Sequence, residues 1–116
     1  MSSHDEAVYL KHMLDYAAEA HHLANGRSRV DLDNDRLYML ATTRLLEMMG
    51  EAATRASAET RLGNPDIPWK EMIGLRHHLV HGYNKVNLDM VWEILTIDLP
   101  PLIKALDVMV NPPPGA

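Results

Sequence analysis

A chain of 116 residues is long enough for one domain with a modest core, and 47% hydrophobic with 23% charged residues are globular proportions that argue against disorder. The lack of cysteine excludes a disulfide framework, a thiolate nucleophile and a cysteine-bound zinc. The net charge of -5 argues against a protein that coats nucleic acid non-specifically, yet leaves room for a local basic patch.

With no Phe, 5% aromatics and 8 Met, the core must be built from Leu, Ile, Val, Ala and Met, which suits packed helices. The opening MSSHDEAVYL has no basic segment followed by an apolar run, so no signal peptide is expected. Nothing approaches the run of about 18 apolar residues that spans a membrane. No membrane association and a cytoplasmic location follow as expectations.

In chain order, a first helix is predicted from Ser3, which with Glu6 has capping-box spacing. Tyr9, Met13, Tyr16, Ala20 and Leu23 recur at steps of four and three, Leu10, Leu14 and Ala17 widen the stripe, and Gly26 supplies the stop. The polar stretch Arg27 to Asp35 reads as turn and N-cap material; its Asp31, Asp33 and Asp35 lack the glycine and distal Glu of a calcium loop. A long helix is predicted from about Asn34 to Arg61, in which Leu37, Leu40, Ala41, Arg44, Leu45, Met48, Ala52 and Ala56 repeat at three and four. Gly50 within it costs roughly 1 kcal/mol relative to Ala, tolerable where another helix packs closely.

Leu62-Gly63-Asn64-Pro65 ends that helix, and Pro68 opens a third carrying Trp69, Met72, Ile73, Leu75, Leu79 and Val80 to about Gly82. Asn87 is the expected N-cap of a fourth helix with Leu88, Val91, Trp92, Leu95 and Leu99 facing inward. Pro100-Pro101 should kink or break it, leaving Leu102 to Val110 as a final turn or short helix. The expected architecture is all-α: an antiparallel up-and-down bundle of four to five helices over residues 1–110, followed by a disordered tail at 111–116.

Polar residues concentrate on the third helix, where Arg76, His77, His78 and His81 precede Tyr83 in an otherwise apolar segment, GLRHHLVHGY. Arg–x4–His alone is weak, since roughly 0.4 such pairs arise by chance in this composition. A Tyr two residues after the His lowers that to about 0.015. Residues five apart on a regular helix lie about 140° apart, so Arg76 and His81 do not converge on one target from one chain. A two-fold dimer could bring the Arg of one protomer to the His of the other.

Plainer readings stand beside this one. Arg76 and His81 can serve as basic groups near a helix C-terminus, worth about 0.3–1 kcal/mol each. His77 and His81 have the i,i+4 spacing of metal ligands, but no nearby carboxylate completes a set, so no metal is expected. His21 and His22 read as solvated or as partners of a helix end, Glu47 and Glu51 as ion-pair partners of Arg44 or Arg55, and Trp69 and Trp92 as core anchors.

GLRHHLVHGY resembles the signature of HEPN-domain proteins, and more narrowly of the HepT toxins paired with minimal nucleotidyltransferase (MntA) antitoxins. LLEMMGEA at 45–52, IPWKEMIGLR at 67–76 and VNLDMVWEILTIDLPPL fit the same family, so the resemblance covers about residues 4–110. It implies a helical homodimer with a shared cleft and a metal-independent RNA endonuclease that needs no cofactor. Arg76 and His81 would be catalytic, His77 would occupy the polar position after the Arg, where the family often has Asn or Asp, and Tyr83 would support substrate binding and accept AMP from the nucleotidyltransferase. The partners implied are a second copy of the chain, the MntA-type antitoxin and RNA, whether transfer or messenger. The alternatives are a non-catalytic binding or regulatory subunit of the nucleotidyltransferase and a plain structural helical dimer.

Overall fold

The computed structural model describes residues 3–81 and 85–115, with side chains described from Asp5 to Val80 and from Lys85 to Gly115. Helix α1 (Ser3–Ala24) carries Asp5 and Glu6 in its first turn, where they oppose the helix dipole. It buries Leu10, Met13, Leu14, Ala17, Ala20 and Ala24, while Tyr9, Tyr16 and Leu23 are half-buried at the margin of that face. Past its end Gly26 takes φ +77°, the left-handed backbone expected of a helix-terminating glycine.

The polar connection contains a single helical turn, α2 (Asp31–Asn34), and uses all three aspartates locally. Asp31 accepts from the Ser28 N–H at 2.8 Å, Asp33 pairs with Arg29 at 2.8 Å, and Asp35 caps the next helix by accepting from the Tyr38 N–H at 3.0 Å. Arg29 also reaches Asp89 at 2.9 Å, tying this connection to the chain's last third.

Helix α3 (Arg36–Ala53) is shorter than expected; of the recurring positions Leu45, Ala52 and Ala56 are buried, but the first ones are not. Its inner face is Tyr38, Thr42, Leu45, Leu46, Met49 and Ala53, whereas Leu37 is 80% exposed and Leu40, Ala41 and Arg44 face outward. Hydrophobicity alone misplaces this face because it counts Thr42 as polar. The Thr42 hydroxyl donates back to the Tyr38 carbonyl at 2.9 Å, which removes the penalty of burying it.

The predicted helix to Arg61 is in fact interrupted. After Ala53 the chain turns, and Ser57 starts a new short helix, α4 (Ala58–Gly63), by accepting from the Thr60 N–H at 3.1 Å. Glu6 secures this break. Its carboxylate accepts from the Ser57 N–H and the Thr60 hydroxyl, each at 2.6 Å. The start of α1 therefore lies beside the end of α3, so the two run antiparallel.

Helices α5 (Trp69–Ile73) and α6 (Leu75–Leu79) form the third rod and a two-residue antiparallel pair follows, β1 (Val80–His81) with β2 (Lys85–Val86), in the register Val80↔Val86 and His81↔Lys85. Helix α7 (Leu88–Glu93) begins as predicted, with the Asn87 side chain accepting from the Met90 N–H at 3.1 Å.

Pro100 and Pro101 do not break the last rod. The chain widens into a π turn (Ile94–Asp98), in which the Leu99 N–H reaches back five residues to the Ile94 carbonyl, and α8 (Leu99–Val110) then holds both prolines in its first turn. No N–H is needed there. Leu99 bonds to Ile94 and Pro100 has no N–H, so the Leu95 carbonyl lacks a helical donor. His21 Nδ1 on α1 meets it at 3.0 Å, and a carbonyl partner requires the proton on that nitrogen. The end of α1 thus lies beside the start of this rod, and the two are antiparallel. The outcome is an all-α bundle of the rods α1, α3, α5–α6 and α7–α8, with α2 and α4 as short connectors.

The Glu6 latch gives a pH prediction. The Thr60 hydroxyl, then the Ser57 N–H, hold the Glu6 carboxyl below the ordinary glutamate value of about 4.3. A depressed folded-state pKa contributes stability that is fully present above that ordinary value and is lost as pH falls through the lowered one. Urea midpoints of the wild type should decline over this acid range, and Glu6→Gln should flatten that part of the decline; identical acid limbs in the two proteins would refute the latch.

Candidate active site

The third rod is positioned by a glycine. A Cβ built on Gly50 of α3 would lie 2.5 Å from the Met72 carbonyl oxygen, so the α5 backbone can sit where it does only because residue 50 has no side chain. This is the close packing that the helix-interior glycine anticipates. Trp69 is buried and its Nε1–H donates to the Asn64 carbonyl at 3.0 Å, fixing the start of α5. Trp92, the other expected anchor, is half-buried against the core.

In α6, Leu75 and Leu79 are the buried anchors, four residues apart on one face. The residues between them, Arg76, His77 and His78, are exposed as a consequence. Among the described residues no carboxylate forms an ion pair with Arg76. An exposed guanidinium next in sequence to the exposed His77 is the kind of surface that receives a phosphate.

His81 is not on this helix. The backbone becomes extended at Val80 (φ −107°, ψ 128°), and the Asn87 N–H bonds to the Leu79 carbonyl just before the strand pair. The 140° separation of Arg76 and His81, which assumed a continuous helix, therefore does not hold. Nor do His77 and His81 share a helical face as an i,i+4 metal pair. The reason is local: the β-branched Val80 pairs with Val86, and strand pairing replaces helix continuation.

The register sets Lys85 opposite His81, a basic residue that the sequence reading passed over. Its signal was present, since V-H-G-Y-N-K-V places turn-forming Gly and Asn between two Val, a hairpin pattern. Gly82, Tyr83 and Asn84 lie outside the described residues, so the expected roles of Tyr83 are not addressed by the geometry.

His78 faces elsewhere. A Cβ on Gly74 would meet its Cε1 at 2.9 Å, and the ring lines a groove of about 730 Å³ between α5–α6 and the last rod. The groove floor is apolar, with Met49, Met72, Met90 and Leu102, and Asp66, Glu71, Glu93 and Asp98 surround it. Four carboxylates make it a poor receptor for phosphate despite its size. The basic edge formed by Arg76, His77 and Lys85 suits that charge better.

The structure is thus an all-α bundle presenting an Arg–His run at the end of a helix, just before a strand pair. The family model "Ribonuclease HepT-like" matches residues 13–109, and the chain belongs to that family. A protein of Methanocaldococcus jannaschii named "Putative RNase MJ1380" is 29% identical over 94% of this chain and 100% of its own length. One of Caldanaerobacter subterraneus subsp. tengcongensis, named "Putative RNase TTE0752", is 34% identical over 83% of this chain and 86% of its own. The "Probable ribonuclease HepT" of Thermococcus cleftensis is 34% identical over 59% of this chain and 62% of its own. No solved structure matches. Among the described residues no helix is long and apolar enough to cross a membrane.

Gly50→Ala tests how the site is held. The added methyl must displace the α5 backbone, so the substitution should destabilise the fold by about 1–3 kcal/mol, the usual range for overpacking, even though alanine favours helix. An unchanged or raised unfolding midpoint would show that α5 does not depend on this contact.

Proposed function

We propose that this chain is the toxin of a toxin–antitoxin pair: a metal-independent RNA endonuclease that a nucleotidyltransferase silences by transferring AMP to Tyr83. The observation that carries the reading is membership of the HepT-like ribonucleases together with an exposed Arg76, without an ion-pair partner among the described residues, five residues before His81.

RNA provides its own nucleophile. As a general base removes the proton of a ribose 2′-hydroxyl, the 2′-oxygen attacks the adjacent phosphorus. The bond to the 5′-oxygen breaks, and a general acid returns a proton to that oxygen, leaving a 2′,3′-cyclic phosphate and a 5′-hydroxyl. His81 is the principal acid/base residue, because an unperturbed imidazole titrates near working pH. Arg76 stabilises the charge that builds on the non-bridging oxygens, with His77 in support. The site is completed in a homodimer in which the α6–β1 edges of two protomers face each other, so that one chain's Arg and the other's His act on the same phosphate. Transfer or messenger RNA is the substrate.

Tyr83 is the off switch. Its phenol oxygen attacks the α-phosphate of ATP bound to the nucleotidyltransferase, pyrophosphate leaves, and the phenolic proton is lost. The attached AMP places bulk and negative charge beside the site, which excludes RNA as a phosphorylation would.

Two experiments test the reading. Purified wild type incubated with transfer and messenger RNA in EDTA should cleave to cyclic-phosphate ends. His81→Ala should lose about 10²–10⁴ of that rate and Arg76→Ala about 10²–10³. Products bearing only 3′-hydroxyl ends, or equal cleavage by His81→Ala, would overturn the mechanism. With the cognate nucleotidyltransferase and ATP, intact-mass measurement should show AMP on the wild type and none on Tyr83→Phe; equal labelling of both would remove Tyr83 as acceptor.

A further inference from the structure

A second cluster lies across α3 from the site. Along α1, Tyr9, His12 and Tyr16 follow at i, i+3 and i+7, and their rings form a row with successive centroids 6.1 Å apart. Arg44 and Arg55 on and just beyond α3 face this row across a shallow groove of about 190 Å³ floored by Met48 and Ala52. The Arg55 guanidinium sits over the Tyr9 ring at 5.1 Å, and Arg44 has only a 4.0 Å approach to Glu47 with its side chain 66% exposed. Two of the chain's four Tyr are thus spent on one surface groove, whereas Tyr38 and Trp69 are buried in the core.

The groove is too small for an enclosed small-molecule pocket, which usually needs about 300 Å³ or more. Two half-buried Tyr rings with an exposed His between them, lined by two guanidiniums, are instead the parts of a single-strand nucleic-acid track, in which bases stack on aromatic faces and cations meet the backbone. Glu51, also in the wall, is an acceptor for a ribose 2′-hydroxyl, a donor that DNA lacks. We propose that this groove is a second binding site of the ribonuclease, holding single-stranded RNA away from the scissile phosphate.

Its position gives the site a distinct role. Gly50 points to α5 and α6, whereas Met48 and Ala52, two residues to either side and about 200° around the helix, floor the groove. The groove and the Arg76 edge therefore occupy opposite sides of α3. A dinucleotide can reach only one of them, while a longer strand can engage both. The groove governs capture of long RNA and leaves the chemical step alone. The proposal rests on the ribonuclease reading for the identity of its ligand, and its test separates the two.

Binding is read with His81→Ala protein, which holds RNA without the proposed cleavage, by fluorescence anisotropy of a labelled single strand of about 12 nucleotides. Adding Arg44→Ala and Arg55→Ala should weaken binding at least tenfold and reduce the slope of log affinity against log salt by about 1.4, the value for two phosphates on a single strand. Tyr16→Ala should weaken it about five- to a hundredfold, and Tyr16→Phe, which keeps the stacking face, should restore it. In the His81 wild-type background the double Arg variant should raise KM for long RNA, with kcat unchanged and dinucleotide cleavage untouched. Unaltered affinity and salt slope would overturn the groove while leaving the ribonuclease reading standing. A change in the mass of the protein in solution would also overturn it, by making this face a protein interface. Wild type that cleaves neither substrate, with groove-dependent RNA binding intact, would instead count against the ribonuclease reading alone.

Discussion

The contact on which the site depends is a backbone touching a helix at a missing side chain. Gly50 lets the Met72 carbonyl of α5 come within 2.5 Å of the point a Cβ would fill. Every residue after it inherits that placement. With α5 seated, Leu75 and Leu79 fall into the core and Arg76, His77 and His78 are left at the surface. The helical penalty of one glycine, about 1 kcal/mol, is offset by packing that no larger residue allows. Helix propensity and packing conflict at this position, and packing decides it.

Two polar contacts at opposite ends of α1 complete the frame. Near its start, Glu6 occupies both carboxylate oxygens with donors at the head of α4; near its end, His21 supplies the donor that Pro100 withholds from the Leu95 carbonyl. Each repairs a break in another helix, one between α3 and α4 and the other at the π turn. Leaving such backbone groups without partners costs more than a typical hydrogen bond contributes, so α1 acts as a brace as well as a core element.

Charge is distributed to match. The chain is acidic as a whole, yet carboxylates surround the large apolar groove while Arg76, His77 and Lys85 gather at the α6–β1–β2 edge, and Arg44 and Arg55 flank the aromatic row. Segregation of this kind allows an anionic protein to direct a polyanion to chosen places on its surface and repel it elsewhere.

Much of this was legible in the residues themselves. The helix starts at Asn87 and Asp35 follow from side chains that bond to N–H groups within a few residues, the stop at Gly26 from a backbone freedom that only glycine has readily, and the family from motifs spread along the chain. The departures came from pairings that the helical pattern does not show, some between near neighbours and some between residues far apart. Ser57 restarts a helix with Glu6 of another element to receive its N–H, α3 turns inward through a Thr that the fold can satisfy, and the last rod survives two prolines because a π turn and His21 compensate. His81 left the helix for the same reason, since its neighbour Val80 found a strand partner in Val86. Sequence by itself determined the all-helical composition, the local caps and the identity of the Arg–His motif, because these rest on short-range chemistry. Only the three-dimensional structure decided which face of α3 is buried, where the motif's helix ends and that Lys85 stands opposite His81, because each is the outcome of competition between helix propensity and another pairing or packing arrangement.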